Sequence, residues 1–284
     1  NTSVYSVKNG KSSSFDNFIA LGGGDGASKD NMTFAKSFIF DESVGSGGGG
    51  CASTNKRFYK NGYGKAFQGN NGGNGEKNNN GNSGGGGGAR KIGQNGITGI
   101  NIENSGNGGE GIDLSYLFGT TVANEGWFAG GGAGSLYFTD SFVNANTSSS
   151  IGGKGGGGNA GLINNTGGVS GIANSGGGGG AGSGNAIGGN GGTGVVIIKT
   201  YENTQVLPIL TINMFILNYP TNAKLGNIVY DDINIFKYDS KYTSDNGQSE
   251  YTLTIDNSAY FDILIVGGGG SGNNITISSN IYGF

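Results

Sequence analysis

The sequence predicts an all-β protein: a jelly-roll-like β-sandwich into which a bundle of polyglycine II helices is inserted, followed by a C-terminal strand-rich segment. Three observations predict it. Glycine supplies 65 of 284 residues and proline only 2, against an average glycine share of about 7%. Apolar islands break the glycine runs at intervals. Runs rich in β-branched and aromatic residues flank the glycine region, and no stretch carries the 3.6-residue apolar period of a helix.

Taken in order, residues 1 to about 44 alternate apolar runs with polar turns, and "VYSV", "FDNFIAL" and "FAKSFIF" read as three strands. Residues 45–192 follow as Gly and Asn tracts punctuated by "ITGINI", "IDLSYLF", "GWFAG" and "SLYF". A flexible linker is the default for such composition, yet linkers rarely return to aromatic anchors. The ordered alternative is the polyproline II conformation, a left-handed helix of three residues per turn without internal hydrogen bonds. Every N–H and C=O then points outward and must find a partner if buried. Without Cβ atoms such helices approach one another from every side, and the strands and aromatics hold the tract ends against the entropic cost of ordering glycine. Tracts 84–88, 155–158 and 176–180 are accordingly expected to be ordered and bonded to one another. The exit strand, 193–201, reads "TGVVIIKTY", strongly β-favouring. Residues 1–201 thus form one glycine-rich unit. Residues 202–284 are a second, strand-rich segment with pieces "LPILTINMFIL", "NIVYDDINIFKY" and "EYTLTI".

That second segment contains the start of a repeat. Placing Tyr251 on Tyr5 gives a gapless offset of 246, with Phe261-Asp262 on Phe15-Asp16, Ile265 on Ile19 and Gly272 on Gly26. Residues 247–284 therefore read as the opening of a second copy that lacks its own glycine bundle and exit strand. Tyr251, Phe261, Ile263 and Ile265 are the candidate assembly residues. Their strands are expected to pair into a neighbouring unit by strand addition, because open edges are normally covered. Heterologous contacts of this kind give open filaments. Deleting 247–284 is expected to abolish assembly while 1–201 still folds.

An apolar strand entering a glycine run, "FIALGGGDG" and "FDILIVGGGG", together with the exit "GGNGGTGVVIIKTY", resembles the glycine-rich domains of some phage tail adhesins, large-virus and protist surface proteins, and anaplastic lymphoma kinase-type receptor ectodomains. The resemblance covers residues 1–201 and implies a β-sandwich whose loops are bundled polyglycine II helices. It carries over no functional residue. The abundance of Asn and the 202–260 segment depart from the pattern.

Composition narrows function. Charged residues are 12% and the net charge is -3, which points to neither nucleic acid nor an anionic membrane. No apolar run reaches the length of a membrane span. The N-terminus has neither Met nor a basic-then-apolar signal, which reads as a processed chain or a piece of a longer one. With one cysteine, Cys51, there is no intrachain disulfide; a buried thiol is the simplest reading and an interchain link the other. Histidine is absent, removing triads and metal sites that use it. Asp41-Glu42 and Asp231-Asp232 read as turn or strand-end carboxylates, and "DDIN" and "DGASKDN" lack calcium-loop spacing. "FDILIVGGGGSG" has G-x-G-x-x-G spacing, but no helix and no acidic residue follow it, so no dinucleotide is expected. No cofactor, metal or catalytic residue is assigned.

Asn1, Asn31, Asn146, Asn164 and Asn274 open Asn-x-Ser/Thr sequons, candidate glycosylation sites in a secreted eukaryotic chain. Trp127, Phe128, Tyr137 and Phe138 flank a glycine run as candidate recognition aromatics, although such residues more often plug a core. The expectation is a non-enzymatic structural subunit or repeat of an extracellular fibre, appendage or coat, or of a virion or cell surface, whose partner is itself, head to tail. The alternative is an adhesin tip or receptor module recognising glycan or protein. Ice binding ranks behind both because no regular three-residue sequence repeat occurs.

Overall fold

A run of four β-branched residues, Val195 to Ile198, can be satisfied only by a strand buried on both faces. That is the role these residues take in the computed structural model, which describes residues 9–26, 44–49, 51, 62–65, 67–76, 82–97, 106–135, 150–161, 166–183, 186–201, 216–217, 233–237, 250–251 and 260–272. The elements are β1 (Ser13–Phe15), β2 (Phe18–Ala20), β3 (Ile112–Asp113), the helical turn α1 (Ser115–Phe118), β4 (Trp127–Phe128), β5 (Val195–Tyr201), β6 (Ile216–Leu217), β7 (Ile233–Lys237), β8 (Glu250–Tyr251) and β9 (Tyr260–Val266). The chain is all-β, with small antiparallel sheets: β7-β5-β9, β1-β2, β3-β4 and β6-β8.

On one face of the central sheet, Val196 and Ile198 pack with Phe236 and with Phe15 from β1. On the other, Val195, Ile197 and Val266 pack with Phe118, Val122 and Phe128 from the β3-α1-β4 island. Ile197, Ile198 and Phe128 are all at 0% exposure. The segment "FDNFIAL", expected as one strand, is instead a hairpin, with Asp16 at φ 49 in its turn. Asp and Asn tolerate that conformation and favour turns. In the repeat, Asn17 is replaced by Ile263, and the same Phe-Asp pair runs straight through β9.

The edge of β9 toward β5, expected to be open, is closed within the chain. β9 pairs with β5 from Val195 opposite Val266 to Tyr201 opposite Tyr260. Phe261, Ile263 and Ile265 therefore lie on a strand of their own sheet. β9 and the tract after it join strands and tracts contributed by residues 1–201.

The glycine tracts are ordered and joined by backbone hydrogen bonds with a period of three. In tract 176–183, the N–H groups of Gly178 and Ala181 donate to Gly130 and Ala133, that of Gly179 to Gly270, and that of Gly180 to Val169. Tract 82–88 behaves alike: Ser83 and Gly86 donate to Ser135 and Gly132, Gly85 to Gln94, and Gly87 to Gly47. Successive donors thus reach different neighbours, and the neighbour recurs every third residue. Gly155, Gly156 and Gly176 depart from the expected tract geometry, with φ 105, 93 and 69, and lie in turns.

Asparagine completes the tract ends. Asn9, Asn71, Asn95, Asn107 and Asn159 each accept, through Oδ1, a backbone N–H of another tract or turn, at 2.8–3.1 Å. Asn70 Nδ2 donates to the carbonyls of Gly88 and Ala89 at 2.9 and 3.0 Å. At these positions, where a tract runs out of neighbours, a short amide replaces the missing peptide group.

Candidate functional site

Six tracts close into a ring. Residues 21–26 bond to 267–272 (Gly23 N–H to Gly268 O), 267–272 to 176–183, 176–183 to 129–135, 129–135 to 82–88, 82–88 to 44–49, and 44–49 back to 21–26 (Gly45 N–H to Gly22 O). Inside the ring lies a channel of about 690 Å³ lined by all six tracts. Its mouth is apolar, formed by Phe18, Ile19, Phe67 and Ile112 with the β9 segment Asp262 to Val266. Phe18 is 66% exposed and Ile19 55%. The repeat aligns these two with Leu264 and Ile265, which pack against the core.

Two glycines have more room beside them than their neighbours in the tract. A Cβ placed on Gly85 or Gly87 would lie 2.1 Å from a backbone oxygen of an adjacent tract, whereas on Gly86 its nearest neighbour is Gly132 N at 3.5 Å. On Gly22 the distance is 1.9 Å and on Gly23 3.2 Å. Cys51 is buried and lines the same channel.

Of the aromatics expected to recognise a ligand, Phe128 is fully buried in the core, at the wall of the channel. Trp127 is half-buried, and the ammonium of Lys154 sits 4.1 Å from its ring centroid, a cation–π contact. Tyr137, Phe138 and the five sequon asparagines lie outside the described residues, as do "VYSV" and "FAKSFIF". Tyr251 is on β8, opposite Ile216. Sequence reasoning does not single out the mouth residues Phe18 and Ile19; the signal for them is their alignment with a β9 pair that needs burial.

Among the described residues lining the channel, Asp262 carries the one charge, and Lys91, Glu110 and Asp113 lie outside that lining. Lys91 Nζ lies 2.9 Å from Glu110 Oε2 in a solvent-exposed pair, and this hydrogen bond holds the Glu110 carboxyl below its ordinary range. The Asp113 carboxyl is lowered by hydrogen bonds from Ser115; its Oδ1 accepts the Ser115 N–H at 3.0 Å. Among the described residues no group of three or more His, Cys, Asp or Glu could hold a metal ion. No helix among them is long and apolar enough to cross a membrane.

Residues 1–201 match the family model described as a glycine-rich domain. No curated protein and no solved structure matches the chain.

Proposed function

The chain belongs to the glycine-rich domain family, and from that premise we propose that it is a structural subunit or repeat of an extracellular fibre, appendage or coat, built as a sandwich-like β layer carrying a bundle of polyglycine II helices. One observation carries this reading: the three-residue period of the bonds between tracts, the period of polyproline II geometry. A core made of backbone resists deformation through many short hydrogen bonds and presents little reactive chemistry. Burial of both faces of the β7-β5-β9 sheet supports the layered architecture. Head-to-tail contact through the C-terminal strands then has the outer edge of β9, away from β5, to work with.

A second reading has its own support. Because β9 pairs with β5 inside the chain, the edge that demanded a neighbour is covered, and an exposed apolar mouth remains. Both features favour a discrete extracellular binding module for glycan or protein, an adhesin tip or receptor part. Negative-stain imaging of the purified chain separates the two. Regular filaments are expected for the structural reading; uniform discrete particles at all concentrations would replace it with the module.

A further inference from the structure

The groups that face the channel form a pattern. In tract 129–135, Gly131 and Gly134 donate to tract 106–111, and Gly130 and Ala133 to residues 155 and 158, leaving Gly132 N–H as the third direction. In 44–49, Gly45 and Gly47 donate to other tracts, while Ser46 and Gly49, one turn apart, and Gly48 do not; in 267–272, Gly268, Gly269 and Gly272 donate and Gly270 N–H is left. The alternate tracts leave carbonyls instead. Those of Gly85 and Gly86 accept bonds and that of Gly84 does not, and the same accounting leaves Gly179 O in 176–183 and Gly24 O in 21–26. The residues left in this way all line the channel. Read around the ring, their tracts alternate acceptor, donor, acceptor, donor, acceptor, donor.

Such alternation is what a central helix of the same kind would require, since it offers three rows of N–H and three of C=O to six neighbours. The dimensions agree. A rise of about 3.1 Å per residue at strand-like spacing of about 4.8 Å gives roughly 60 Å³ per glycine, so 690 Å³ has room for roughly ten, most of them within the height of the ring. No side chain larger than hydrogen fits at that spacing. Every run of three or more glycines in the sequence, from 22–24 to 267–270, has its described residues in the ring or its outer layer. A second copy has no ring tract to lend without opening its own ring.

We infer that the channel is a binding site for the glycine tract of a partner polypeptide, an extended run of about six or more consecutive glycines inserted as the seventh member of the bundle. Apolar residues flanking the run would rest on Phe18, Ile19 and the outer edge of β9. This is a recognition function for backbone, in which affinity comes from peptide groups and specificity from the exclusion of Cβ.

The test uses the full chain and a fluorescein-labelled, lysine-flanked octaglycine peptide, with a control peptide in which every third glycine is alanine. Saturable one-to-one binding by anisotropy is expected for the first and not the second, with slowing of amide exchange at Gly132 and Gly270 by at least about tenfold. Gly86→Ala, whose methyl meets nothing closer than 3.5 Å, should not lower the unfolding midpoint and should lose at least about tenfold in affinity. Absence of saturable binding, equal binding of the alanine peptide, or undiminished binding by G86A would overturn the assignment. Peptide-resistant dimers of the chain alone would overturn it in favour of self-capture. Filaments seen by microscopy without peptide binding would leave the structural role standing and remove only this site.

Discussion

Two neighbouring glycines in tract 82–88 should respond in opposite ways to the same methyl group. On Gly85 a Cβ would stand 2.1 Å from Asn107 O and 2.6 Å from Gly106 O, both backbone atoms that no rotamer change can clear. Restoring van der Waals contact means moving one tract by more than about 1 Å, which breaks the bonds Gly85 N–H to Gln94 O and Gly73 N–H to Gly85 O, at 2.9 and 2.7 Å. Two orphaned buried backbone pairs at about 1–3 kcal/mol each, with overpacking of about 1–3 kcal/mol, are offset by only about 0.4–1 kcal/mol from the stiffer unfolded chain. Gly85→Ala should therefore cost about 2–9 kcal/mol, a large part of a typical domain's stability of about 5–15 kcal/mol. Gly86→Ala meets nothing closer than 3.5 Å and should be neutral or stabilising, within about 1 kcal/mol. Urea unfolding followed by Trp127 fluorescence measures both midpoints. Equal losses, or no loss at Gly85, would refute a core made of tightly packed backbone.

Ending the chain at residue 246 removes β9 and one wall of the ring, so the remaining unit should lose hydrogen-exchange protection throughout 82–88 and 176–183; unchanged protection there would restore the expectation that residues 1–201 fold alone. Ile197→Ala, at 0% exposure in the doubly covered strand, should cost about 2–5 kcal/mol, measured by thermal unfolding. Lys91→Ala should cost less than about 1 kcal/mol because its pair with Glu110 is exposed. Since the folded Glu110 carboxyl titrates below its unfolded value, that contribution is present above the unfolded glutamate value of about 4.3 and disappears as pH falls through the lower folded value. Wild-type and K91A unfolding midpoints should therefore converge in acid, and a gap that persists there would refute the pairing.

A feature of this fold is legible in the sequence where the contacts that decide it are local. The run Val195 to Ile198 has no polar alternate and so announces a strand covered twice, as observed. The spacing of tract and anchor likewise announces ordered glycine, and Phe128 is such an anchor. Partners distant in sequence are another matter. Nothing in "FDILIV" says whether β5 of the same chain or of a neighbour completes it, because the pattern needs only an antiparallel apolar edge. The hairpin at Asp16-Asn17 is concealed by the apolar residues on either side, although Asn17, in the place of Ile263, is a turn signal within the repeat itself. The ring is illegible for a deeper reason: glycine residues differ in no side-chain property, so which tract lies beside which leaves no mark on composition or periodicity.

That sameness has a consequence for how the bundle keeps its alignment. Sliding any tract lengthwise by one turn returns each N–H to the same neighbour, so the interior is degenerate to slips of three residues and cannot by itself select among them. The amides of Asn71, Asn95, Asn107 and Asn159 lift the degeneracy, since each reaches one particular N–H at 2.8–2.9 Å and would miss it by about 9 Å after a slip. They act as pins that set the phase of tracts otherwise free to choose it. Glycine runs of this protein should accordingly tolerate changes of length in whole turns far better than changes of one or two residues, provided the pins at their ends are kept.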